Sequence, residues 1–360
     1  MTGRFQGSML DCIRNTAQAA INIADHCEIN CAALITLLCS LSEPINEILL
    51  IGSGTSSTTA ITSRCFIERV TGIATHVVYP NDFLYNCTVR NPHALHVFTS
   101  QTGTSKVCFE AMKQVQQWGY PSLVISESAQ TPMAQAADCF LTMDCGIEEY
   151  PMRTTGYSAT VMTHMAMAIS IAQHYGRITE TEAAELTEEI RACSKRLPQV
   201  IERTLEWMKQ AKRKMLRSDL IVFTGADALV GVSLEGAMKV WETPQIASVG
   251  YEIEEGIHGP NYGYNSRHCV IVLNDGGRED QKCRGLARYM KEVWNNGFLI
   301  GVHPIDEEDL ELPVVSPDLC VIDFAAVVQT IAFKLAEDQG RDLGAHHDNS
   351  RMNAYFKTHQ

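Results

Sequence analysis

Glu235, Lys239 and Glu242 stand at i, i+4 and i+7 in the run Glu235-Gly236-Ala237-Met238-Lys239-Val240-Trp241-Glu242. On a helix these positions share one face, so two carboxylates flank one ammonium. Thr243-Pro244 should end that helix, because proline restricts the residue before it and has no N–H to continue the ladder. A second acidic cluster follows, Glu252, Glu254 and Glu255, and then Gly256-Ile257-His258-Gly259-Pro260, a histidine between turn residues. A carboxylate at a rigid helix end and a loop histidine sixteen residues on are the groups that general acid–base catalysis needs. A carboxylate does this well when burial or neighbours such as Glu252, Glu254 or Glu255 raise its pKa. A solvated charged helix followed by a surface turn would look the same.

A second chemistry lies earlier in the chain. The apolar run 47–51 leads into Gly52-Ser53-Gly54-Thr55-Ser56-Ser57, and residues 57–71 then read as a helix. The pattern repeats: Leu95 to Thr99 reads as a strand, Ser100-Gln101-Thr102-Gly103-Thr104-Ser105 as its turn, and 105–118 as a helix ending at Gly119. Strand, hydroxyl-rich turn and helix N-terminus together expose backbone N–H groups at the positive end of a helix dipole. Neither turn has the spacing of a dinucleotide fingerprint or the Gly-Lys-Ser/Thr of a P-loop, and either alone is ordinary loop composition. If the two strands are neighbours, both turns meet at the carboxyl edge of one sheet and can cradle a phosphate with neutral donors.

The rest of the chain must position these groups. Residues 8–24 and 28–41 read as helices, and Ser42-Glu43-Pro44 breaks the pattern. Strands are expected at 122–126 and 139–143, and a long helix at 156–175 after the acidic loop Glu148-Glu149-Tyr150-Pro151 and Thr154-Thr155. Residues 179–216 are charged and helical, with Pro198 as a break. A second α/β series opens at 220–225, with further strands expected at 269–273, 298–302 and 319–323 and a helix at 324–339. Strands alternating with helices predict an α/β protein with two tandem, doubly wound parallel sheets of flavodoxin-like type. The expected segments are a helical N-terminal piece, 1–44; a first domain, 45–178; a helical connector, 179–217; a second domain, 218–339; and a tail over the active site, 340–360. The second series carries Asp227 and Asp275 in the corresponding turns, and aspartates repel phosphate, so one anion site is expected, in the first domain.

Composition bounds the function. The chain has 360 residues, 45% hydrophobic and 20% charged, which suits a globular protein with a large core. A formal charge of −13 argues against nucleic acid or an anionic membrane as partner. The 13 cysteines include no CxxC pair, and neither an apolar leader nor an apolar run of 18 residues is visible. Free thiols in a reducing cytoplasm are the natural reading. His346 and His347 are adjacent, so their side chains point apart, and no metal or other cofactor is expected.

Taken in order, GSGTS, SQTGTS about fifty residues on, and EGAMKVWE before HGP resemble the double sugar-isomerase (SIS) domain proteins. The likeness covers roughly residues 45–360 and is nearest to the isomerase half of glucosamine-6-phosphate synthase and to the fructosamine-6-phosphate deglycases. It implies a phosphate-binding set of Thr55, Ser56, Ser100, Gln101, Thr102 and Ser105, with Gly54 and Thr154 beside it. It also implies Glu242 as the proton-transferring glutamate, and His258 as a ring-opening histidine given by the neighbouring subunit of a homodimer. Lys239 matches the helix lysine of the synthases, and Glu255, Tyr355 and Lys357 complete the implied substrate contacts. The chain departs from the synthases in three ways. No glutamine-hydrolysing domain is present; Thr154-Thr155-Gly156 replaces a Ser-Thr-Lys motif; and Tyr355 stands where the synthase tail has its lysine. The deglycases work with a glutamate and a histidine, so the resemblance favours amine release from a fructosamine 6-phosphate. A ketose/aldose isomerase, an aminosugar-phosphate deaminase and a non-catalytic phosphosugar-binding protein remain as alternatives. The sensor reading is disfavoured by the absence of a helix-turn-helix and by the presence of both Glu242 and His258.

Overall fold

A computed structural model describes residues 7–345 and 350–359. The chain forms two compact units: Asn15–Ser194 with the end of the chain, and Gly7–Arg14 with Lys195–Gly344. His346 and His347, weighed above as a metal pair, lie outside the described residues.

Helices α1 (Met9–Asp25) and α2 (Cys27–Ser40) precede the first sheet. In the first unit follow β1 (Glu47–Ile51), α3 (Thr55–Thr71), β2 (Ala74–Val78), α4 (Pro80–Tyr85), β3 (Ala94–Thr99) and α5 (Lys106–Trp118). Then come β4 (Ser122–Ser126), α6 (Pro132–Ala136), β5 (Phe140–Thr142) and α7 (Thr155–His174). The five strands are all parallel, in the order β2-β1-β3-β4-β5. β3 and β4 are buried along their whole length, as central strands covered on both faces must be. Helix α2 and the C-terminal part of α1 pack on this same unit: α2 lies against α7, and Asn22 donates to the Asp144 carbonyl.

Helix α8 (Glu180–Leu216) runs from one unit into the other. Pro198 does not break it, contrary to the sequence expectation. A proline inside a helix costs the bond to the carbonyl four residues back, here that of Ser194. The boundary between the units falls at that residue, so the lost bond and the change of packing partner coincide.

The second unit contains β6 (Leu220–Gly225), α9 (Leu229–Glu242), β7 (Ser248–Glu252), α10 (Ile253–Ile257), β8 (His268–Asn274), α11 (Asp280–Trp294), β9 (Gly297–Gly301), β10 (Leu310–Glu311) and α12 (Cys320–Asp338). Its strand order, β10-β9-β8-β6-β7, is again parallel and has the connectivity of the first sheet. The two units are therefore two copies of one doubly wound fold. Residues 319–323, expected as a strand, form the start of α12 instead. That helix is buried nearly all round, and a short apolar run cannot separate a buried strand from a buried helix. All 13 cysteines are free thiols, and no single helix among the described residues is long and apolar enough to cross a membrane.

Candidate functional site

In the first unit β1 and β3 are adjacent, in register from Glu47↔Ala94 to Ile51↔Phe98, so both hydroxyl-rich turns leave the sheet at the same edge. This is the point where the strand order reverses, the place at which open α/β sheets bind ligands. Gly54 precedes α3 with φ 59°, a left-handed conformation that a side chain would strain. Thr55 and Ser56 form the first turn of α3, two residues earlier than the sequence pattern suggested, and both are half-buried. In the other turn Ser100 is buried, Thr102 and Thr104 share a hydrogen bond of 2.7 Å, and Ser105 precedes α5. Gly103 has no room for a side chain, since a Cβ there would stand 2.5 Å from Thr131. The tail reaches this turn: Ser105 pairs with His359, and Lys106 N–H donates to the Thr358 carbonyl at 3.1 Å. Tyr355 and Lys357 are exposed on that tail.

Behind the turns the polar layer continues into the core. His164, fully buried on α7, bonds Ser63 through Nδ1 at 2.8 Å and Thr99 through Nε2 at 3.2 Å. Burial pushes its pKa down to about 3, so the ring is neutral and acts as a tie between α3, α7 and the end of β3.

Gln101 and Thr154 belong to a different arrangement from the one expected. The Glu148 carboxylate accepts from Thr154 N (2.8 Å), Thr154 Oγ1 (3.0 Å), Thr155 N (3.2 Å) and Gly156 N (3.0 Å). It thus fills the N-terminus of α7 with the chain's own anion. Gln101 Nε2 donates to Glu148 and to Glu127, each at 3.1 Å, and burial raises the Glu127 pKa. Thr154 is completely buried, its hydroxyl spent on Glu148. Gly156 leaves the space that Gln101 fills: a Cβ there would lie 1.9 Å from Gln101 Oε1. Sequence reasoning missed Glu148, because its six-residue offset from Thr154 matches no capping box. Glu148→Ala should destabilise the protein by about 2–4 kcal/mol, since it orphans buried donors at a helix start. A loss below about 1 kcal/mol in urea unfolding would show that the helix end is satisfied without it.

In the second unit the expected helix face is formed. Lys239 Nζ lies 2.7 Å from Glu242 Oε2 and 3.5 Å from Glu235 Oε1. Glu235 and Lys239 are buried, whereas the Glu242 side chain is 35% exposed, so Glu242 is the carboxylate of the three-residue cluster that a ligand can reach. It ends α9, where Thr243 closes the last turn by donating to the Lys239 carbonyl. His258 follows α10 and is exposed; its Nε2 pairs with Glu254 at 2.7 Å. Glu254 also pairs with Lys282, and hydrogen bonds from Lys282 and His258 hold its carboxyl below the usual range. Glu252 caps α10 by accepting from the N–H groups of Glu254 and Glu255. The acidic cluster is therefore dispersed among a cap, a histidine and a lysine, while Glu255 is exposed. At the second sheet's own reversal point Asn274 and Asp275 accept from the Gly276 and Gly277 N–H groups, so the turn after β8 closes on itself.

The comparisons agree with this picture. Residues 43–170 match the SIS domain family. The glutamine–fructose-6-phosphate aminotransferase (isomerizing) of Gloeobacter violaceus is 25% identical over 311 residues, 83% of this chain and 50% of that protein. The chain thus spans about half the length of the curated relatives it matches. Among solved structures, an assigned phosphosugar isomerase from Clostridium difficile 630 has a TM-score of 0.88 at 23% identity, covering 99% of this chain and 100% of the other. The C-terminal domain of glucosamine-fructose-6-phosphate aminotransferase from Francisella tularensis has a TM-score of 0.81 at 17% identity, covering 93% and 95%. Residues 43–170 thus match the SIS domain, and both sheets share the fold of these solved structures.

Proposed function

We propose that this chain is an enzyme of phosphorylated sugars, and that its substrate is a fructosamine 6-phosphate, cleaved to a sugar phosphate and a free amine. The observation that carries the reading is the pair of hydroxyl-rich turns at the reversal point of the first sheet, on the N-termini of α3 and α5. Thr55, Ser56, Ser100, Thr102 and Ser105 would hold the phosphate there without a lysine, which suits a chain of charge −13. His258 would assist ring opening, its ring oriented by Glu254. Glu242, oriented by Lys239, would move a proton between C1 and C2. Removal of the C1 proton and protonation of O2 give an enolamine; return of a proton to C2 with loss of the N–H proton gives the C1 imine, which water hydrolyses to the aldose phosphate and the free amine. The working form would be a homodimer in which His258 serves the neighbouring subunit.

The test is amine release from a panel of 6-phosphorylated fructosamines, with glucosamine 6-phosphate and fructose 6-phosphate as controls. Amino acid released from a fructosamine is the expected result and names the amine. Turnover of a control alone would move the protein to the deaminases or isomerases. Stabilisation by a sugar phosphate without turnover would make it a sensor.

A further inference from the structure

The second unit has a cavity of about 580 Å³ that shares no residue with the Glu235–Glu242 face or the His258 loop. Lys209 and Arg213 line it at i and i+4 on one face of the last turns of α8, and Arg217 joins them from the residue just past the helix end. Like charges in that spacing repel one another. The helix dipole favours cations at a C-terminus, but it does not account for their facing a concavity. Lys214, also in the lining, is paired with Glu308 at 2.7 Å, and Lys209 with Glu206. Among the described residues no ion pair engages Arg213 or Arg217.

The opposite wall supplies a second, independent observation. Asn296 is 5% exposed and lines the cavity, with its amide nitrogen donating to Ser218 Oγ and to the Ser266 carbonyl. Those bonds fix the amide orientation and leave Oδ1 buried without a partner. A buried acceptor with no donor is a cost that the packing of this wall leaves unmet. Trp207 and Phe298, packed edge to face at 5.3 Å, add an aromatic wall.

We infer that this cavity binds a small phosphorylated molecule that carries a planar ring. The phosphate would meet Arg213 and Arg217, and the ring would lie against Trp207. The volume is within the range of small-ligand sites. The site is independent of the reaction proposed above.

The probe is AMP, titrated calorimetrically at low salt into a Thr102→Asp background, which places a carboxylate in the first-unit cradle and removes phosphate binding there. Submillimolar AMP binding is expected, at least tenfold weaker for adenosine. Adding R213E and R217E, both at exposed positions, should weaken AMP at least tenfold. Equal binding with and without the charge reversals, equal binding of adenosine, or no AMP binding in the Thr102→Asp protein would overturn the site. Because binding is the readout, the outcome does not depend on what Thr102→Asp does to turnover.

Discussion

Glu242→Gln should lower turnover of a fructosamine 6-phosphate by about 10²–10⁴, the usual worth of a positioned acid–base group. Glutamine keeps the length of the side chain, and its Oε1 can still accept from Lys239 Nζ, which lies 2.7 Å from the present carboxylate. The helix end should therefore stay intact, with Thr243 still bonded to the Lys239 carbonyl. What is lost is the ability to take a proton from one carbon and return it to the next. The loss should appear in kcat, while KM changes little, because the phosphate contacts assigned to the first unit are untouched. More than a tenth of wild-type turnover remaining would remove Glu242 from the mechanism. A large rise in KM at unchanged kcat would instead make Glu242 a binding residue.

The parts of this molecule that were legible in its sequence are those written in local pattern. The two strand–turn–helix units with hydroxyl-rich turns announced themselves because glycine, serine and threonine follow short apolar runs, and β1 and β3 proved to be neighbours. The Glu235, Lys239, Glu242 face was legible because helical spacing alone brings the three together. The edge strands β2, β7 and β10 were not, since they are only partly buried and lack a continuous apolar run. The start of α12 was mistaken for a strand because burial on all sides erases helical periodicity. Two features depend on tertiary distance and have no local signal. Glu148 reaches the α7 N-terminus across an irregular loop, and Asn296 becomes an orphaned acceptor only once Ser218 and Ser266 have claimed its amide nitrogen.

A large pH-dependent effect on stability is expected from His164, which no sequence pattern singled out. Its folded pKa, about 3, lies below the ordinary value of 6.5, because burial disfavours the charged ring. The unfolded chain therefore binds a proton at this position between about pH 6.5 and pH 3 while the folded chain does not. Stability from this group is complete above pH 6.5 and falls as pH drops through that window. At about 1.4 kcal/mol per pH unit, the loss by pH 4 is about 3 kcal/mol. His164→Gln removes the titration while keeping a neutral polar group between Ser63 and Thr99, its present partners. The variant should be less stable than wild type at pH 7, because the ring no longer fills its site. It should nevertheless lose about 3 kcal/mol less than wild type between pH 7 and pH 4. Urea midpoints of both proteins at the two pH values give this difference, in which the carboxylates and the other depressed histidine, His96, cancel. Parallel losses would mean that His164 takes up its proton in the folded chain at the ordinary value of 6.5. The tie between α3, α7 and the end of β3 would then become an imidazolium below that pH, and the first-unit cradle would gain a positive charge behind Ser100 on acidification.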